Sequence, residues 1–434
     1  MSITLKDIQN NGVVGAGGAG FPTHVKLQAE PEYIIVNAAE CEPLLHKDMQ
    51  LLEFYGDAFI DGLNQVIKIT NATSAIIGIK SKHESIIANL QKKITANIKI
   101  CPMDDFYPAG DEITLIHQTT GRIVEPGQLP ISQGCIVQNV ETIINIALNK
   151  PIVEKFLTIA GEVKNPMTVK VPVGTTFAQV LEYFEITTKN YIIREGGMMM
   201  GTVQTNLDAV VTKRTGGLII LPTDHNCAVT YKRYSEPKNT IRIAKAACDQ
   251  CNFCTELCPR YLLGYPVRPE LAMRNIMFSS DDDQRINIGN AFCCECNLCT
   301  LFSCPEGLDP AGATFIEKRV AQEQEKWQGL PVKAHPMMPY RKVPTKKLMQ
   351  RLDVLKYQDK GPLQSIQFNP VFVRIPLLQH IGATAKAVVV VGQHVKKYDL
   401  IGEAKTGISA NIHASINGTV TVANEKEIVI ERRL

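Results

Sequence analysis

Nine cysteines crowded into two short runs constrain this chain more than any other feature of it. The first run reads CDQCNFCTELCP and holds Cys248, Cys251, Cys254 and Cys258. Its spacing, C-x2-C-x2-C-x3-C-P, is one that ligates iron–sulfur clusters. The second reads CCECNLCTLFSCP, with Cys293, Cys296 and Cys299 at the same x2 intervals and Cys304 following after four residues instead of three. Zinc is the competing reading, because C-x2-C pairs also build four-cysteine zinc sites. Two successive three-cysteine runs, each trailed by Cys-Pro, favour iron–sulfur. Three sulfurs at i, i+3 and i+6 wrap one face of a cube while the trailing cysteine swings away, and in two-cluster ferredoxins it ligates the other cluster. Two [4Fe–4S] centres are therefore expected. Cys248, Cys251, Cys254 and Cys304 would hold one, and Cys293, Cys296, Cys299 and Cys258 the other. Cys294 breaks the spacing and is expected to be a small buried residue beside the second cluster.

Thiols in such number need a reducing compartment. The stretch MSITLKDIQNN lacks the charged-then-apolar pattern of a secretory signal. No apolar run approaches the roughly 20 residues of a membrane span. A soluble cytoplasmic protein without a membrane span is the expectation. Lys plus Arg is 46 against 43 Asp plus Glu, a net +3, which leaves no electrostatic footprint for nucleic acid.

At 434 residues the chain is too long for one core. Residues 1–150 alternate apolar runs (YIIVN, SAIIGI, NIKICPM) with helical periodicity at 46–68 and 81–95, which predicts an α/β domain. Residues 155–240 hold short strand-like runs broken by Gly and Pro around one helix near 176–185, which predicts a small β-rich domain. The cysteine runs sit in a helical piece, 241–330, whose best helical segments are ELAMRNIMF and GATFIEKRVAQEQEKW. Residues 331–365 are Pro-rich and basic and read as a solvated linker, with a docking surface for an acidic partner as the sharper alternative. The tail, 366–434, has the Gly-punctuated short strands of a lipoyl-like barrel-sandwich. Gly407 stands where a carrier domain would have its modified lysine, which argues for an unmodified, structural module.

One more stretch carries chemistry. GVVGAGGAGFPTHVK, residues 12–26, satisfies G-x-G-x-x-G through Gly15, Gly17 and Gly20, with Glu40 twenty residues further on. Only two apolar residues precede it where a dinucleotide-binding unit needs a full strand. Pro22 follows at once and suits a turn or a helix start. The glycines still let the backbone approach a ligand and aim N–H groups at a phosphate.

With VNAAECEP, the KD after it, YPAGDE (107–112) and VQNVET (137–142), this stretch resembles the flavin- and NADH-binding subunit of respiratory complex I. GGMMMG (196–201) and the paired ferredoxin runs make the chain more similar to the RnfC-like branch. Its module order is similar to that of the cobalamin-reducing members of propanediol-utilising microcompartments. The resemblance implies a complex I-like α/β flavin domain, a β-grasp (SLBB) domain, a two-cluster ferredoxin domain and a barrel-sandwich hybrid. RnfC-type chains usually carry that last module first. By position it implies that Gly15, Gly17, Gly18 and Gly20 line the FMN phosphate and nucleotide cleft, with Lys26 meeting the phosphate. Asn37, Asn139 and Thr142 would hydrogen-bond the flavin, and Phe21 would stack on a ring. Glu40 and Glu42 match the acidic pair near flavin and NADH, the candidate catalytic residues, while Ala39 replaces an acidic residue of the family. The implied activity is transfer of electrons from NADH through FMN and two [4Fe–4S] clusters to cobalamin, within a bacterial microcompartment and among its other electron-transfer proteins. An RnfC-type subunit of a ferredoxin:NAD oxidoreductase, or an electron-transfer module with no working flavin site, are the alternatives.

Overall fold

In the computed structural model of the chain, residues 3–278, 287–321, 329 and 331–432 are described. Four strands near the amino terminus form a parallel sheet in the order Ile98–Met103, Ser74–Lys80, Tyr33–Ala38, Cys135–Asn139. The two central strands, YIIVNA and SAIIGIK, are near-continuous apolar runs, as a parallel sheet covered on both faces demands. The edge strand CIVQN is not apparent from periodicity, being five residues long with its last two polar. The helical stretch after residue 46 is two helices, Lys47–Phe54 and Gly56–Thr70, because Tyr55 (φ −118°, ψ 23°) leaves the helical region between them.

The second sheet has the order Met167–Pro172, Glu154–Gly161, Gly217–Pro222, Tyr191–Glu195, Thr202–Gln204, with Glu154–Gly161 and Gly217–Pro222 parallel at its centre. The helix Phe177–Leu181 packs on it, started by a capping box between Thr176 and Gln179. Helices Pro237–Ala247, Pro269–Phe278 and Pro310–Ala321 carry the cysteine loops between them. The helix expected over 312–327 is seen to Ala321, and its remainder lies outside the described residues. The tail folds as two small sheets around a common core of Val373, Ile375, Ile401, Ile412, Val420, Ile428 and Ile430.

The stretch 331–365 is not a solvated linker. Val343–Pro344 pairs antiparallel with Phe106–Tyr107, and the helix Thr345–Arg351 sends Leu348 and Met349 into the core shared with Met198, Met199, Cys296 and Leu298. Apolar residues spaced among the prolines and lysines cause the difference: Met338, Val343, Leu352 and Val354 are all buried. Among the described residues no helix is long and apolar enough to cross a membrane.

Candidate functional site

The glycine stretch is a loop closed by a bridge between Val14 and Pro22 and by the Gly15 N–H donating to the Phe21 carbonyl at 2.9 Å. One residue pins it to the domain. The Ala16 N–H donates to Thr142 Oγ1 at 2.9 Å, and Lys155 Nζ donates to the Ala16 carbonyl at 3.1 Å. Beyond that anchor, the N–H groups of Gly17, Gly18, Ala19 and Gly20 have no acceptor among the described residues. Successive unpaired backbone donors are what an anion such as a phosphate takes. Gly18, at φ +69°, has open space where a Cβ would stand. Gly20 is a glycine for another reason, since a Cβ there would come within 2.9 Å of the Arg214 side chain and 3.1 Å of the Gln379 carbonyl. The β-grasp and barrel-sandwich domains thus press on the loop from outside, and Arg214 Nε donates to the Gly18 carbonyl at 3.2 Å.

Beneath the loop lies a buried ionic network that sequence reading missed. Glu141 Oε2 accepts from Lys155 at 2.5 Å and from Lys47 at 3.0 Å, and Lys47 also reaches Asp48 at 2.6 Å. Burial works against the Glu141 charge, but Lys155 and Lys47 hold its carboxyl below the usual range. Burial depresses Lys155 to about 8 even with that partner beside it. The visible signal was a lysine and a glutamate, Lys155 and Glu141, inside otherwise apolar or tightly packed segments. Charges in such places need partners.

The residues expected to touch the flavin are already engaged with this framework. Asn139 caps the helix Val140–Leu148, accepting from the Glu141 N–H at 2.9 Å, and donates to Asp48 at 2.8 Å. Asn37 donates to the Gly110 carbonyl at 2.8 Å and accepts from the Ala39 N–H at 3.2 Å. Glu40, at φ +26°, turns its carboxylate onto the first amides of the helix Lys47–Phe54, Asp48 at 2.8 Å and Met49 at 3.3 Å. Burial, and then the Asp48 charge, lift Glu40 to about 7. Glu42 accepts from the Met199 and Met200 amides, both at 2.8 Å, and burial pushes its carboxyl up. Lys26 pairs with Glu112 at 3.3 Å, and Phe21 is half-buried at the end of the glycine loop. Glu40 and Glu42 therefore stand in different places, one capping a helix and one holding the GGMMMG loop.

Each cysteine run is shaped by a repeated pair of left-handed residues, Gln250 and Asn252 in the first and Glu295 and Asn297 in the second. These turn the backbone at the same two places in each run, and Asn tolerates that conformation better than most residues. Cys248, Cys251, Cys254 and Cys304 line one small pocket, with Met273, Leu308 and Pro310. Cys258 lies within electrostatic reach of Cys293, Cys294 and Cys296, and Cys299 within reach of Cys293, Cys258 and, from the first run, Cys254. Burial pushes the Cys254 and Cys258 thiols up to about 12. The thiolate form there needs the positive charge of a bound metal. Cys294 is half-buried beside the second run.

The second cysteine set meets the flavin domain through YPAGDE. Tyr107 Oη donates to the Cys296 carbonyl at 2.8 Å, while Asn297 donates to the Met199 carbonyl at 2.8 Å. Gly110, between them and Asn37, donates its N–H to Cys41 Sγ at 3.3 Å.

Four family models match the chain: the Nuo51 FMN-binding domain at residues 8–148, the SLBB domain at 156–203, the 4Fe-4S dicluster domain at 247–309, and the RnfC barrel sandwich hybrid domain at 355–432. The chain holds an FMN-binding domain and a 4Fe-4S dicluster domain. It is 37% identical to cobalamin reductase PduS of Salmonella typhimurium, over 100% of this chain and 98% of that protein. It is 36% identical to cobalamin reductase PduS of Citrobacter freundii, over 97% and 94%. A partial relative is a component of the proton-translocating ferredoxin:NAD(+) oxidoreductase complex of Clostridium ljungdahlii, 33% identical over 59% of this chain and 55% of that protein.

Proposed function

The chain belongs to the family of the cobalamin reductase PduS, and from that premise we propose that this oxidoreductase carries electrons from NADH through FMN and two [4Fe–4S] clusters to a corrinoid cobalt. The observation that carries the reading is the end-to-end match to that family by a chain whose flavin and dicluster domains are in direct hydrogen-bond contact through Tyr107 and Cys296. When bound, FMN supplies the exchange between a two-electron hydride donor and one-electron acceptors. The chain's own residues give it a place. The Gly17–Gly20 amides receive the phosphate, with Gly15 holding the loop closed and Lys26 at its rim. Thr142 and Lys155 keep the loop in register. Asn37 and Asn139 shape the floor by holding backbone, so they act as positioning residues. Phe21 borders the ring. Glu40 and Glu42 act through the helix and the methionine loop that they hold, and Ala39 is buried in the same floor.

The cluster ligands are Cys248, Cys251, Cys254 and Cys304 in one set and Cys258, Cys293, Cys296 and Cys299 in the other. A place in propanediol utilisation, inside a microcompartment, follows from the family's name and is part of the proposal. The RnfC-type reading has less support, because its relatives match 59% of the chain.

The deciding experiment is anaerobic NADH oxidation by the purified chain with cobalamin or ferredoxin as alternative acceptors. Reduction of cobalamin with no ferredoxin turnover is expected. Ferredoxin-dependent NAD reduction without cobalamin turnover would reverse the choice. Absence of FMN from the denatured holoprotein would reduce the chain to an electron-transfer module.

A further inference from the structure

Two residues after Cys258, Arg260 is buried and grips Asp111 with both ends of its guanidinium, Nη1 to Oδ2 at 2.7 Å and Nη2 to Oδ1 at 2.9 Å. Asp111 belongs to the flavin domain and caps the helix Glu112–Thr120, accepting from the Thr114 N–H at 3.0 Å. Its neighbour Gly110 is bonded to Asn37 and Cys41. Arg260 also lies over the Tyr265 ring at 5.4 Å, and Tyr265 Oη donates to the Val124 carbonyl of the flavin domain. A bidentate pair of this kind fixes orientation as well as distance. It joins the two domains at the cysteine set that Tyr107 also reaches. The other set, around Cys251, lines a pocket elsewhere and keeps that cysteine exposed.

We infer that the set of Cys258, Cys293, Cys296 and Cys299 holds the flavin-facing cluster, and that the Arg260–Asp111 pair positions it and sets its reduction potential. This rests on the proposed presence of two clusters. The pair is neutral as a whole, but each half is a full charge in a poorly solvated place, where charges act over longer reach than in water. Placing an electron on a cluster becomes harder when a negative charge is left uncompensated beside it, and easier when a positive one is. The two halves must therefore pull in opposite directions.

The test is an anaerobic redox titration followed by EPR on the full chain, three variants of the pair, and the same variants in a Cys251→Ala background. Arg260→Gln leaves Asp111 unpaired and is expected to shift one of the two cluster potentials to more negative values. Asp111→Asn keeps the helix cap, leaves Arg260 unpaired and should shift the same cluster to more positive values. The double variant should return close to the wild-type value. The shifted signal should persist in a Cys251→Ala background, where the other cluster has lost a ligand. Same-sign shifts in the two single variants, equal shifts of both clusters, or no shift with iron content intact would overturn the inference, since loosened packing alone gives no opposite signs. If Arg260→Gln fails to fold, Asp111→Asn and the double variant still decide. Absence of any reducible cluster from the wild type would instead defeat the proposed function.

Discussion

Lys155→Met tests the claim that the ionic network below the glycine loop exists to hold that loop. Lys155 makes two contacts that a methionine cannot, the one to Glu141 at 2.5 Å and the one to the Ala16 carbonyl at 3.1 Å. Breaking a buried pair by removing one partner costs about 3–5 kcal/mol. Lys47 remains on the same Glu141 oxygen at 3.0 Å, which places the loss at the lower end of that range. A charge-assisted hydrogen bond is worth about 1.5–3 kcal/mol, and that is the share belonging to Ala16 and the loop. Converted at about 1.4 kcal/mol per decade, FMN affinity should fall roughly tenfold to a hundredfold. The assay is quenching of FMN fluorescence on titration of the apoprotein, beside a urea melt followed by circular dichroism. Thr142→Val removes a neutral bond to the same residue and should cost about 1 kcal/mol, or roughly fivefold in affinity. Pairing Lys155→Met with Glu141→Gln should restore part of the urea midpoint, because it removes the stranded charge, while leaving FMN binding weak. FMN affinity within threefold of wild type, in a Lys155→Met protein whose urea midpoint has dropped, would refute the argument.

Further outcomes follow from other contacts. Cys251→Ala should leave flavin reduction by NADH intact and slow transfer to the final acceptor, as read by stopped-flow absorbance; equal loss of both steps would count against a linear relay. Burial lifts Glu40 from 4.5 to about 7, so the folded state holds that proton more tightly than the unfolded chain. The stability it contributes is complete below its unfolded value and is lost as pH rises through the folded one, by up to about 3 kcal/mol. Glu40→Gln should flatten that part of the stability–pH profile, and an unchanged slope would contradict the raised value. Gly12→Ala places a Cβ 2.2 Å from the Asn411 carbonyl at φ +63° and should push the barrel-sandwich domain off the flavin domain, seen as faster proteolysis of the tail. Gly18→Ala meets nothing within 4 Å but puts an alanine at φ +69°, so it should cost some stability and lower FMN affinity with the domains still docked.

The cysteine spacing, the two central strands and the Gly-rich loop were legible because each is a local pattern. The three thiols of each run stand at fixed offsets, and the left-handed residues between them recur at the same positions in both runs. The strand CIVQN was illegible because five residues, two of them polar, carry too little periodicity. Its pairing with Tyr33–Asn37 is what establishes it. The 331–365 segment misled because its composition is that of a linker, whereas its fate was decided by a groove between the flavin, β-grasp and ferredoxin domains that accepts Val343, Leu348 and Met349.

Chain order alone determined the spacing of the two cysteine runs and that a backbone loop rich in free amides would form, since both depend on covalent spacing and on the missing side chain of glycine. Tertiary structure decided the roles within those sets. Within one loop, Gly20 packs against Arg214 and Gln379 while Gly18 meets open space. Keeping a charge such as Lys155, Glu141, Asp111 or Arg260 in the interior depends on a partner up to 149 positions away. Burial makes such partnerships decisive, because a charge removed from water must be compensated at contact distance, and contact distance is a property of the folded chain.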